Sequence, residues 1–207
     1  MFAPLLALFG IRPARKASSP ANLTATAAEK PKPVPAVSTP REPTSLAEAI
    51  AKAAESQIGI LETEGENRGP GIEKFWSATS YKTGYQNREP WCAAFVCWCI
   101  LEALLRLVIK PPFKRPTTAQ AFGFEPWATY SDADNVKLVP KDGDIRRGDI
   151  IVYSFSHVEI ATKDTPKGAN LVECVGGNTN DAGHREGDGV YRKQRHRRSF
   201  RAVVRIE

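Results

Sequence analysis

The hydrophobic pattern of the chain changes character part-way along. Up to about Leu107 the apolar residues sit in segments of helical length; after Gly143 they sit in short β-branched runs separated by Gly, Asn, Ser and Asp. Ser45 followed by Glu48 is a capping-box pattern, and it predicts a helix over Leu46 to Ile58. Gly69-Pro70-Gly71 reads as a turn before a short helix, Ile72 to Thr79. Pro90, with its fixed φ, launches a long helix from Trp91 to Leu107, and Pro111-Pro112 ends it. Thr117 to Tyr130 reads as a short helix plus loop. Asp149 to Tyr153, His157 to Thr162, Leu171 to Val175 and Ala202 to Ile206 read as strands. Helices first and strands afterwards predict an α+β fold, with N-terminal helices packed on an antiparallel sheet.

Residues 11–45 are rich in Pro, Ala, Ser, Thr and Lys, lack aromatics and could not build a core. The expected organisation is therefore a disordered tail over 1–45 and one domain over 46–207. Met1 to Gly10 is apolar but too short to span a bilayer, and Arg12, Arg15 and Lys16 follow it rather than precede it. It reads as a weak, atypical export or anchor segment. Trp91 to Ile109 is long enough to span, yet Glu102 and Arg106 interrupt it on one helical face. Charge near mid-bilayer is costly, so a buried helix and no stable membrane insertion are expected.

Composition narrows the class without naming it. The 207 residues are 42% hydrophobic and 25% charged, which excludes a collagenous or wholly disordered chain. Four cysteines in this length do not make a disulfide scaffold. The spacing of Cys92, Cys97, Cys99 and Cys174 does not match zinc knuckles either. The net charge of +6 favours an anionic partner such as nucleic acid, a membrane surface or a cell-wall polymer. The run Arg192-Lys193-Gln194-Arg195-His196-Arg197-Arg198 reads as a solvated hairpin loop, and no nucleic-acid motif accompanies it.

Cys92 carries the chemistry. It falls in the first turn of the long helix, where free amides and the helix dipole stabilise a thiolate and could hold an oxyanion. Such a nucleophile needs a base. Of the three histidines, His184 and His196 lie in charged, loop-like surroundings, whereas His157 opens a strand and could be held rigidly. Asn178 follows the next strand, and its amide could accept the imidazole N–H and fix the tautomer. Cys97 and Cys99 read as buried packing thiols, and Asp149 as a turn residue that bonds backbone amides.

Four segments together, Pro90-Trp91-Cys92-Ala93-Ala94-Phe95-Val96, Gly148-Asp149-Ile150-Ile151-Val152, His157-Val158 and Gly177-Asn178, resemble the CHAP family of cysteine, histidine-dependent amidohydrolases/peptidases. Glu66-Asn67-Arg68-Gly69-Pro70 and the last strands are similar in style, so the resemblance runs from about residue 50 to the end. It implies a papain-like fold of the NlpC/P60 group and cleavage of amide bonds in peptidoglycan, as in phage endolysins and bacterial cell-wall hydrolases. It further implies catalysis by Cys92, His157 and Asn178 without metal or organic cofactor, a monomer, and action at the cell wall. Some relatives bind Ca²⁺, but Asp132 and Asp134 lack the complete calcium-loop pattern and read as a turn. Gln86 is a candidate oxyanion donor and Trp91 a candidate wall of the cleft.

Two positions depart from the family. Many relatives carry a glutamate two residues before the asparagine, where this chain has Gly176. Glu159 stands where a small residue is usual; it is expected to face solvent, the alternatives being that it orients a substrate amine or modulates the imidazole. Glu173 is expected to point away from the site. Other readings of the chain are an amidase on a small peptide conjugate, an injected effector, and a non-catalytic wall-binding module.

Overall fold

The computed structural model describes residues 45–111 and 113–207. The expectations for the tail and for the segment Met1 to Gly10 lie outside these residues, as does Pro112. Among the described residues four helices precede all the strands: α1 (Leu46–Glu55), α2 (Pro70–Trp76), α3 (Cys92–Leu107) and α4 (Phe124–Thr129), the last entered through a 3-10 turn at Ala121–Gly123. Ser45 caps α1 by accepting the Glu48 N–H at 3.2 Å. The Glu48 carboxylate does not complete the capping box; it pairs with Lys52 at 3.0 Å and with Arg147 at 2.5 Å. Pro70 occupies the first turn of α2, where a missing N–H costs nothing. α3 ends at Val108, in the left-handed conformation with φ 53°.

Six strands form one antiparallel sheet: β1 (Val136–Val139), β2 (Ile150–Tyr153), β3 (His157–Ala161), β4 (Leu171–Thr179), β5 (Gly189–His196) and β6 (Phe200–Ile206), in the order β1-β6-β2-β3-β4-β5. The fold is α+β. One face of the sheet, with Ile150, Val152, Val158, Ile160, Val175 and Val204, packs on the helices. The other buries a smaller cluster around Ile151, Tyr153, Ala161, Cys174 and Phe200. Both faces are thus apolar, which is why β2 and β3 read as continuous runs rather than alternating ones.

Two strands escape the sequence reading. β1 is short, and its two central residues are exposed. β5 is the basic run, and the hairpin-loop expectation for Arg192–Arg198 is corrected. Its arginines are matched across the sheet: Arg192 pairs with Glu55 at 3.2 Å and with Glu173, and Arg195 pairs with Glu159. Arg197, just after the strand, donates to the carbonyls of Ala169 at 2.6 Å and Gly143 at 2.7 Å. Long apolar stems carry these guanidinium groups to partners far away in sequence, which a string of like charges cannot disclose. Asp149 does hold its turn, accepting the Arg146 N–H at 2.8 Å, and it also binds Arg205 at 2.9 and 2.7 Å.

Candidate active site

Cys92 is the first residue of α3, 5% exposed, and lies in the wall of a cleft of about 690 Å³. Trp76, Tyr81, Glu89, Gln120, Ser156 and Arg185 also line this cleft. The chain enters α3 through Trp91, whose indole is fully buried, stacks on Phe75 at 5.4 Å and donates to Glu62 Oε1 at 2.9 Å. Trp91 therefore belongs to the core beneath the site, which corrects its expected place in the cleft wall. Gly177 makes this packing feasible, because a Cβ there would meet the Trp91 ring at 2.4 Å and Phe95 at 2.9 Å.

His157 opens β3 with 0% exposure. Its Nε2 pairs with Glu159 Oε1 at 3.1 Å. The nitrogen left over, Nδ1, has no hydrogen-bond partner among the described residues and is the one available to exchange a proton with Cys92. Burial pushes the imidazole pKa down, but the charge of the neighbouring Cys92 sulfur, and then the hydrogen bond and charge of Glu159, override it and hold the pKa up at about 9. The raised imidazole pKa favours an imidazolium at His157 at neutral pH.

Glu159 is 0% exposed, so its expected solvent position is corrected. Alternation along β3 keeps it on the face of His157. Tyr153 donates its hydroxyl to Oε2 at 2.9 Å, and Arg195 Nε donates to both oxygens at 3.0 Å. Burial raises this carboxyl, yet His157 and Arg195 bring its pKa down to about 2. Gly176 explains how the carboxylate fits: a Cβ at that position would meet Glu159 Cγ at 2.5 Å and Oε1 at 2.6 Å. The acid absent from β4 is supplied by β3, in the space the missing side chain leaves open. Glu173, as expected, lies elsewhere, bound to Thr162 at 2.9 Å and Lys163 at 2.8 Å.

Asn178 does not orient the imidazole, and that expectation is corrected. A register shift between Gly176 and Thr179 breaks the strand's alternation, and Asn178 takes φ 57°, a left-handed geometry that Asn tolerates better than most residues. Its Oδ1 accepts the Trp91 N–H at 3.2 Å, while Nδ2 donates to Asn67 Oδ1 at 2.8 Å and to the Gly187 carbonyl at 3.0 Å. Asn178 thus holds the backbone that leads into Cys92. It also takes up the Trp91 N–H, which leaves the following amides of the first turn of α3 as oxyanion donors. Gln86 is exposed and does not line the cleft, whereas Gln120 and Ser156 do. Trp127 does not line the cleft; it packs on Phe113 and Phe124.

The sequence reading ranked a solvent position for Glu159 above contact with the imidazole, and it missed the contribution of Arg195. The signal available for Glu159 was its two-residue spacing from His157 on a strand; for Gln120 and Ser156 there was none. Among the described residues no group of His, Cys, Asp and Glu side chains is arranged to hold a metal ion. No family model, curated protein or solved structure matches the chain.

The other three thiols differ from Cys92 in access. Burial pushes Cys97 up to about 12 and raises Cys99 and Cys174 well above the ordinary thiol range. Iodoacetamide at neutral pH is expected to label Cys92 in the folded protein and to leave Cys97, Cys99 and Cys174 unmodified, read by peptide mass mapping. Equal labelling of Cys97 or Cys99 would remove the distinction.

The ionised network also sets a pH window for stability. His157 sits above its ordinary 6.5, so its contribution is complete below pH 6.5 and is lost as pH rises through about 9. Glu159 sits below its ordinary 4.5, so its contribution is complete above pH 4.5 and is lost as pH falls through about 2. Thermal melts should show the network's full contribution between about pH 4.5 and 6.5, with a decline towards pH 9 that a His157→Gln variant lacks. An identical alkaline decline in both proteins would contradict the assignment.

Proposed function

We propose that the chain is a cysteine-dependent amide hydrolase of the CHAP type, papain-like in fold, that cleaves peptidoglycan at the cell wall through a thioester intermediate. One observation carries the proposal: a helix-start thiol lines an open cleft beside a buried histidine whose far nitrogen is held by a buried carboxylate. This is the nucleophile–base–orienter arrangement that acyl transfer needs.

The Cys92 thiolate attacks the amide carbonyl, and first-turn amides of α3 receive the charge that develops on oxygen. The imidazolium of His157 gives its Nδ1 proton to the leaving amine, and the C–N bond breaks to leave a thioester. His157 then takes a proton from water, which attacks the thioester and frees Cys92. Glu159 stays ionised throughout and holds Nε2–H, so that Nδ1 faces the reaction. None of these steps calls on a metal or an organic cofactor.

Digestion of purified sacculi followed by mass spectrometry tests the substrate. New N-termini on stem peptides mean an endopeptidase; free lactyl groups mean an N-acetylmuramoyl-L-alanine amidase. Intact sacculi together with turnover of small peptide amides would overturn the polymer as substrate. Intact sacculi with no turnover of any amide would leave a wall-binding module.

A further inference from the structure

The C-terminal end of α3 presents an apolar tip that stands exposed among the described residues. Val108 is 90% exposed, Leu105 63% and Ile109 44%. With Leu101 and Leu104 these residues line one continuous groove. Val108 stands out for its backbone as well as its exposure. It occupies the left-handed position that closes the helix, with φ 53°, where Gly is the ordinary occupant and a β-branched residue is strained. Folding therefore gains nothing from valine here: its side chain contacts water, and its backbone costs stability that glycine or asparagine would recover.

The surroundings indicate what the tip meets. Arg106, Lys110 and Lys114 are exposed around it, and Arg115 lines the groove itself. Glu102 is the acid on this stretch of α3, and Arg106 already neutralises it at 2.7 Å. An apolar point with a basic collar is complementary to a surface that is apolar inside and negatively charged at its rim, and an anionic lipid bilayer is such a surface. A basic collar opposes a second copy of the same tip by like-charge repulsion.

We infer that the tip formed by Leu105, Val108 and Ile109 is a peripheral docking site for anionic membranes, with Lys110 and Lys114 contacting lipid headgroups. The inference is independent of the chemistry at Cys92. α3 is 16 residues long, so the tip lies roughly 24 Å from the thiol. A docked molecule would thus sit on the lipid by one end of α3 and keep the thiol end free.

Co-sedimentation of the full chain with vesicles tests this, comparing an equimolar phosphatidylglycerol/phosphatidylcholine mixture with phosphatidylcholine alone. The wild-type chain should bind the anionic vesicles and leave the neutral ones. Val108→Asn combined with Ile109→Asn should lower partitioning on the order of tenfold or more, and so should Lys110→Glu combined with Lys114→Glu. Val108→Asn alone should bind less while melting at a higher temperature, a pairing that damage to the fold cannot produce. Iodoacetamide labelling of Cys92 should be unchanged in every variant.

Absence of wild-type binding would overturn the inference. Equal binding by the Asn variants would also overturn it, and would assign any membrane attraction to another part of the chain. Concentration-dependent dimers in sedimentation velocity without lipid, abolished by Val108→Asn, would identify the tip as an interface between copies and overturn it as well.

Discussion

Cys92→Ala is expected to fold normally and to hydrolyse nothing. The sulfur is the only heavy atom of the protein that forms a covalent bond to substrate in the proposed reaction, so its removal should lower kcat by on the order of 10⁵–10⁶-fold, below detection on sacculi. The fold has little reason to notice. Cys92 lies in a cleft wall and makes no side-chain hydrogen bond that supports another element, so stability should change by about 1 kcal/mol or less. The variant should still alter one physical property. The Cys92 sulfur helps to hold the His157 pKa up at about 9. Without it the imidazole should lose its proton at lower pH, so the alkaline decline in thermal stability should be smaller and should end at lower pH. Measured together, turnover, melting temperature and the position of that decline separate a lost nucleophile from a damaged fold. Residual turnover near the wild-type level would end the assignment of Cys92.

The second large effect concerns Glu159. Its carboxylate is fully buried and satisfies three groups at once: His157, Tyr153 and Arg195. Glu159→Ala would leave the Arg195 guanidinium buried without its counter-charge and Tyr153 without its acceptor. A loss of roughly 3–5 kcal/mol in unfolding free energy is expected, read by urea denaturation. Glu159→Gln keeps the volume and separates the two roles. An uncharged amide should cost less stability, yet it no longer favours imidazolium, and the loss of activity above neutral pH should move to lower pH. A fall in kcat of about 10²–10⁴-fold is expected for a base whose tautomer is no longer held. If Glu159→Ala were as stable as the parent, with an unchanged pH profile, the carboxylate would have neither role.

The parts of this architecture that were legible in the sequence are those written in local signals. Ser45 before Glu48, Pro70 and Pro90 announce helix starts within a residue or two of where α1, α2 and α3 begin. Runs of β-branched residues announce β2, β3, β4 and β6. The proposed nucleophile, Cys92, was legible because it stands at a helix start, and its proposed base, His157, because it opens a strand. The rest depended on partners distant in sequence. Arg195 belongs to a run of bases whose meaning appears only when β5 lies beside β4. Asn178 lies on a regular strand if the alternation is extended, but the bulge after Gly176 swings it towards Trp91. Glu159 appeared solvent-facing because an isolated buried carboxylate is costly, and nothing along the chain reveals that a tyrosine, an arginine and a histidine converge on it. Gly176 was read as the loss of a functional acid, although it provides the room for one.

His157 and Glu159 are two residues apart on one strand, roughly 6.6 Å of extended backbone. Had the acid come from β4, the distance between base and orienter would depend on how two chains slide against each other. Here a shear of β4 along β3, or fraying at the bulge beyond Gly176, leaves the spacing of the pair untouched. The proposed proton relay is built on a single rail, and its alignment is as durable as the peptide bonds between its two ends.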